Sequence, residues 1–111
     1  MAEKRDSSRF RKRLRLRFGT DKPSKLAYTE DFGHSGMFIR TSSILPPGTK
    51  LLIEITLTDD SLVLFSGMIR WSKSVPPNLM HLVKKSGLGI KIMNFIAGED
   101  IYKKLVAEMA G

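Results

Sequence analysis

Two stretches of this chain carry residue types that could do chemistry together. The first is rich in arginine: Arg5-Asp6-Ser7-Ser8-Arg9 and, overlapping it, Arg9-Phe10-Arg11-Lys12-Arg13 each place two arginines four positions apart. A guanidinium is a planar fork of donors that fits phosphate oxygens or the O6 and N7 of guanine, and it stacks flat on a purine. Two such groups on a pliable segment can clamp one small anionic nucleotide. The second stretch is the turn Asp31-Phe32-Gly33-His34-Ser35-Gly36. An Asp there can accept from guanine N1–H and N2–H₂, and glycines let a ligand approach the backbone closely. Taken singly, each has an ordinary structural explanation, a solvated basic tail and a tight hairpin turn.

Other chemistries lack the residues they need. The chain has no cysteine. Disulfides, thiolate zinc sites, iron–sulfur clusters and Cys nucleophiles are therefore excluded together, and a reducing cytoplasm is the expected location. His34 and His81 stand far apart with no acidic partner motif, so no metal site is expected. No GxSxG elbow occurs, and Gly87-Leu88-Gly89 lacks the Lys-Ser/Thr of a phosphate loop. Glu54, Asp59 and Asp60 fall on a strand or turn and read as solvent-facing. The expectation is a binding module with no enzymatic activity and no resident cofactor.

The elements that must position these groups follow from the pattern of apolar residues. With 111 residues, 41% hydrophobic and 27% charged, the chain can bury one core as a single domain. No apolar run is long enough to span a membrane, and the N-terminus lacks the apolar stretch of a secretory signal. Arg13-Leu14-Arg15-Leu16-Arg17-Phe18 alternates strictly, which at period 2 is a half-buried strand with a basic outer face. Further strands are expected over Lys25–Glu30, Met37–Thr41, Thr49–Leu57, Leu62–Ser74 and Ser86–Phe95. Turn residues separate them, and Gly67 marks a bulge. Val75–Lys85 reads as a loop, in which Leu79, Met80, Leu82 and Val83 could form a helical turn or a partner site. From Gly98 to Ala110 the period becomes helical, with Ile101, Leu105, Val106 and Met109 on the apolar face. Six strands and one C-terminal α-helix, with no helices between strands, point to an all-β antiparallel barrel or sandwich. Trp71 reads as a core or rim aromatic, with a ligand or partner contact the alternative.

The net charge is +8, and residues 1–25 alone carry +7. Such a block meets anions: nucleic acid, an anionic surface or a phosphorylated ligand. Barrels that bind single-stranded nucleic acid interleave aromatics with their charges. Here only Phe10 and Phe18 are near, and Phe18 belongs to the buried face, so nucleic acid is not the expected partner.

Together the two opening stretches resemble the signature of the PilZ domain, a receptor module for cyclic diguanylate: an RxxxR segment, a strand, then a D/N-x-S-x-x-G turn. The similarity runs the length of the chain. Phe38-Ile39-Arg40-Thr41 looks like the strand after the turn, and Leu45-Pro46-Pro47-Gly48-Thr49 like the family's LPPGT approach to the next. Gly67-Met68-Ile69-Arg70-Trp71 resembles its GxVxW strand and Ser86-Gly87-Leu88-Gly89-Ile90-Lys91-Ile92 its closing GxGVxF strand. The resemblance implies a six-stranded antiparallel β-barrel with a C-terminal helix. It divides the chain into a flexible basic segment, 1–12, and a barrel with its helix, 13–111. It implies a ligand, cyclic di-GMP, and ligand-binding residues Arg5, Arg9, Arg13, Asp31, Gly33, Ser35 and Gly36. Counting back from Phe18 selects the pair Arg5 and Arg9, with Arg9 and Arg13 the alternative. The sequence departs from the motif at Gly33, which stands where the family has its middle Ser. The implied mechanism is closure of the arginine segment over the ligand on the barrel face. A protein partner would then read the altered surface in trans, with motility, pilus, exopolysaccharide or biofilm output. A PilZ-like adaptor that no longer binds nucleotide is the alternative.

Overall fold

The computed structural model describes residues 9–75 and 86–110. Seven strands run in the order β1 (Phe10–Arg11), β2 (Arg15–Gly19), β3 (Lys25–Phe32), β4 (Gly36–Arg40), β5 (Lys50–Thr56), β6 (Leu62–Lys73) and β7 (Gly87–Ala97), followed by helix α1 (Glu99–Ala110). All neighbours are antiparallel. The sheet order is β1-β3-β2-β5-β6-β7-β4, and a further β3–β4 pairing joins the ends. Six strands thus close into a barrel, as the residue pattern and the family resemblance imply. The loop expected over Val75–Lys85 lies, from residue 76 to 85, outside the described residues.

The period-2 alternation sets which face is buried. Leu16 and Phe18 of β2, Ile53 and Ile55 of β5, Val63, Phe65 and Ile69 of β6, and Leu88 and Ile90 of β7 all point inward, each almost fully buried. Burying one such side chain is worth about 1.5–3 kcal/mol. The register shift at Ser66 and Gly67 leaves the extra residue, Met93, on β7, so the irregularity expected at Gly67 lies on the strand opposite the glycine.

Two features differ from the sequence expectation. First, the sheet begins inside the segment read as a flexible tail. Phe10 and Arg11 pair with Phe32 and Asp31 of β3, while Arg15 pairs with Tyr28 of the same strand. Lys12, Arg13 and Leu14 therefore oppose only Thr29 and Glu30, so one extra residue bulges and regular pairing of β2 starts at Arg15 rather than Arg13. Thr29, the one buried polar residue among those described, satisfies the backbone there. Its hydroxyl accepts from the Leu14 N–H at 2.8 Å and donates to the Lys12 carbonyl at 2.5 Å. Leu14 stays buried.

Second, the buried face of α1 keeps only part of the expected stripe: Leu105 and Met109 pack partly buried against the core beside Val106, but Tyr102 joins them in place of Ile101. Tyr102 and Val106 are buried, whereas Ile101 is 37% exposed. Tyr102 enters an aromatic cluster, with ring centroids 6.1 Å from Phe32, 6.4 Å from Phe65 and 5.5 Å from Phe95. The helix packs in this way against β6 and β1. The cluster predicts that Phe65→Ala, which removes one of its fully buried rings, lowers stability by about 3–5 kcal/mol. Urea unfolding followed by circular dichroism measures the loss.

Candidate functional site

The β3–β4 connection is built around short backbone contacts. The Gly33 N–H donates to the Gly36 carbonyl at 2.9 Å, and the Ile92 N–H donates to the Ser35 carbonyl at 2.9 Å. Gly36 pairs with Lys91 of β7. A Cβ at Gly36 would strike the Ile90 carbonyl oxygen, so only glycine lets β4 lie this close to β7. Beneath the turn, the Tyr102 hydroxyl donates to the Gly33 carbonyl at 2.5 Å. The helix therefore holds the turn from the buried side.

Above the turn lies Arg9. Its Nη1 donates to Asp31 Oδ1 at 2.9 Å, and its Nη2 sits 3.5 Å from where a Gly36 Cβ would stand. Arg9 and Ser35 line one cleft of about 280 Å³ with Arg70, Trp71, Gly89, Ile90 and Lys91. Trp71 is 48% exposed, and its indole stacks on Phe38 at 5.0 Å with planes 16° apart. It lies flat because the strand beneath has no side chain there: a Cβ at Gly89 would collide with the indole. Trp71 is thus an outer-wall aromatic rather than a core one.

The structure brings together Arg9, Asp31, Ser35 and Gly36. Gly33 lies in the same turn, with its carbonyl taken by Tyr102. Arg13 lies elsewhere. Its guanidinium is 4.4 Å from the Tyr28 ring centroid, and it lines a separate cleft with Arg11, Lys12, Tyr28, Thr29, Glu30 and Arg40. Arg5 is outside the described residues. Among the described residues, no three His, Asp or Glu gather into a group that could hold a metal.

A model of the PilZ domain family matches residues 3–109. This chain belongs to the PilZ domain family. PilZ domains are binding modules rather than enzymes, and this one presents a cleft that is cationic, partly apolar and lined in part by backbone. No curated protein matches it. No helix among the described residues of this PilZ domain is long and apolar enough to cross a membrane.

Reading the sequence overlooked the contribution of Arg70 and Lys91 to the cleft, and of Tyr102 beneath it; for Trp71 the alternative of a ligand contact is the one the cleft favours. One signal was available. Gly87 and Gly89 alternate on one face of β7, which leaves a bare strip that an aromatic from a neighbouring strand can cover.

Burial holds the Tyr102 phenol protonated well above its ordinary value of 10.0, against a smaller opposing pull from the Arg9 charge. The folded state therefore favours the neutral phenol. The contribution to stability is complete below pH of about 10, where the unfolded phenol is also protonated, and is lost as pH rises beyond it. Tyr102→Phe should cost about 1–3 kcal/mol at neutral pH by leaving the Gly33 carbonyl unsatisfied. It should also remove part of the alkaline loss of melting temperature seen in the wild type. Thermal melts across pH 7–11 read both effects.

Proposed function

We propose that this PilZ domain is a receptor for cyclic diguanylate that signals in trans to a partner protein. The observation that carries the reading is the convergence of Arg9, Asp31, Ser35 and Gly36 beside the exposed indole of Trp71. The chemistry suits a guanine nucleotide. A guanidinium serves O6, N7 or a phosphate, a carboxylate accepts from N1–H and N2–H₂, and an open indole face stacks a purine.

The ion pair between Arg9 and Asp31 does not bar the ligand. Their side chains are 40% and 28% exposed, and such a pair is worth only about 0–1 kcal/mol. Each group can exchange its partner for a ligand atom at little cost. Arg5, four residues earlier, is the second clamp of the motif in this reading. Ordering of the arginine segment on binding would alter the surface offered to the partner, and the output, in motility, pilus function or biofilm formation, would belong to that partner.

One observation favours a second reading, in which the domain binds only protein. Gly33 stands where the family motif has a hydroxyl, and the lost hydrogen bond to a charged group is worth about 1.5–3 kcal/mol, or roughly ten- to hundredfold in affinity.

Isothermal titration calorimetry with cyclic diguanylate, and with GTP as control, tests the proposal. Saturable heat is expected for cyclic diguanylate alone. Arg9→Ala and Asp31→Ala should each weaken binding by at least about tenfold, the loss of one charge-assisted contact. Gly33→Ser should strengthen binding. Absence of heat with both wild type and Gly33→Ser would leave the protein-only reading.

A further inference from the structure

A second basic surface lies outside the Arg9 cleft, on the outer wall formed by β1, β2, β3 and β4. The register sets Arg15 beside Tyr28, and Tyr28 beside Arg40, in one row across three strands. Arg13 covers the Tyr28 ring at 4.4 Å. Glu30, its side chain only 14% exposed, holds Arg11 at 2.8 Å and Arg40 at 3.6 Å. Between these groups is a cleft of about 410 Å³. Leu26, 47% exposed, stands next along the wall beside Arg17.

We propose that this arginine wall is the docking surface for an acidic protein partner, whose carboxylates enter the cleft between Arg11, Arg13 and Arg40. The inference rests on the reading that the domain acts on a protein in trans, and it assigns the place and chemistry of that contact. Charge complementarity requires an acidic occupant. The make-up of the wall selects a protein: arginines around a tyrosine, with an exposed leucine at the margin, is the composition of protein–protein contact centres. A nucleic-acid strand needs open aromatic faces for its bases. The wall's aromatic, Tyr28, already carries Arg13. A membrane plane cannot reach into a cleft whose floor is Glu30. Strand addition to β2 is also closed off, because β2 is hydrogen-bonded to β3 on one side and β5 on the other. The partner must therefore be read by side chains.

The wall and the nucleotide cleft share β1. Arg9 reaches Asp31 on one side of Phe10, and Arg11 reaches Glu30 on the other, so two adjacent carboxylates of β3 hold the two arginines. A ligand that draws Arg9 from Asp31 acts on the two-residue strand that also places Arg11.

The test is surface plasmon resonance on immobilised oligoglutamate, with an oligothymidylate of equal charge and phosphatidylserine vesicles as competing surfaces. It is run without nucleotide, so that it stands apart from the receptor reading. Arg13→Glu with Arg15→Glu should weaken oligoglutamate binding by at least about tenfold, a difference of about 1.4 kcal/mol. The same charge change placed elsewhere, Lys73→Glu with Lys104→Glu, should leave it close to wild type. Circular dichroism checks that each variant is folded. Equal losses in the two double variants, absence of wild-type binding, or tighter binding to oligothymidylate or to vesicles would overturn the proposal.

Discussion

Barrel closure depends on β3. Its eight residues pair with β2 and β1 along one edge and with β4 along the other, so the strand that completes the ring also places both charged clefts. Asp31 and Glu30 are neighbours on it, one bound to Arg9 and the other to Arg11 and Arg40. Arg9 and Arg13, only four residues apart, line different clefts, with Arg11 already on the Arg13 side. Without the Thr29 hydroxyl, the Leu14 N–H and Lys12 carbonyl would lose their partner where the ladder is interrupted.

Rigidity and mobility are divided across the turn that follows. Its buried side is fixed by the Tyr102 bond to Gly33 and by the approach of Gly36 to β7. Its outer side carries a partly solvated ion pair of small net value. A scaffold held from below with an exchangeable polar face above lets the barrel accept a charged molecule without reorganising its core. The helix, although distant in sequence, is part of that scaffold.

Much of the barrel could be read before the fold was known, for a physical reason. A strand with one buried face must alternate, and Leu14, Leu16 and Phe18 do so cleanly between arginines. The short β1 could not be read this way. Two residues are too few to show a period, and their pairing with Phe32 and Asp31 is a long-range event. Tyr102 was missed from the helix's buried face because it ends in a hydroxyl, which can be buried only if a partner waits for it. That partner, the Gly33 carbonyl, is 69 residues away. The candidate site divides likewise. The motif positions Arg9, Asp31 and Gly36 stand out by spacing, whereas the place of Trp71 depends on Gly89 in another strand.

The stacking of Trp71 on Phe38 over the bare backbone of Gly89 has a practical consequence. Trp71 is the chain's single tryptophan, and it sits half-exposed in the cleft that contains Arg9. All indole emission from this protein therefore originates at one wall of one cleft. The molecule carries its own optical reporter there, and a stacked purine would quench it without any attached label.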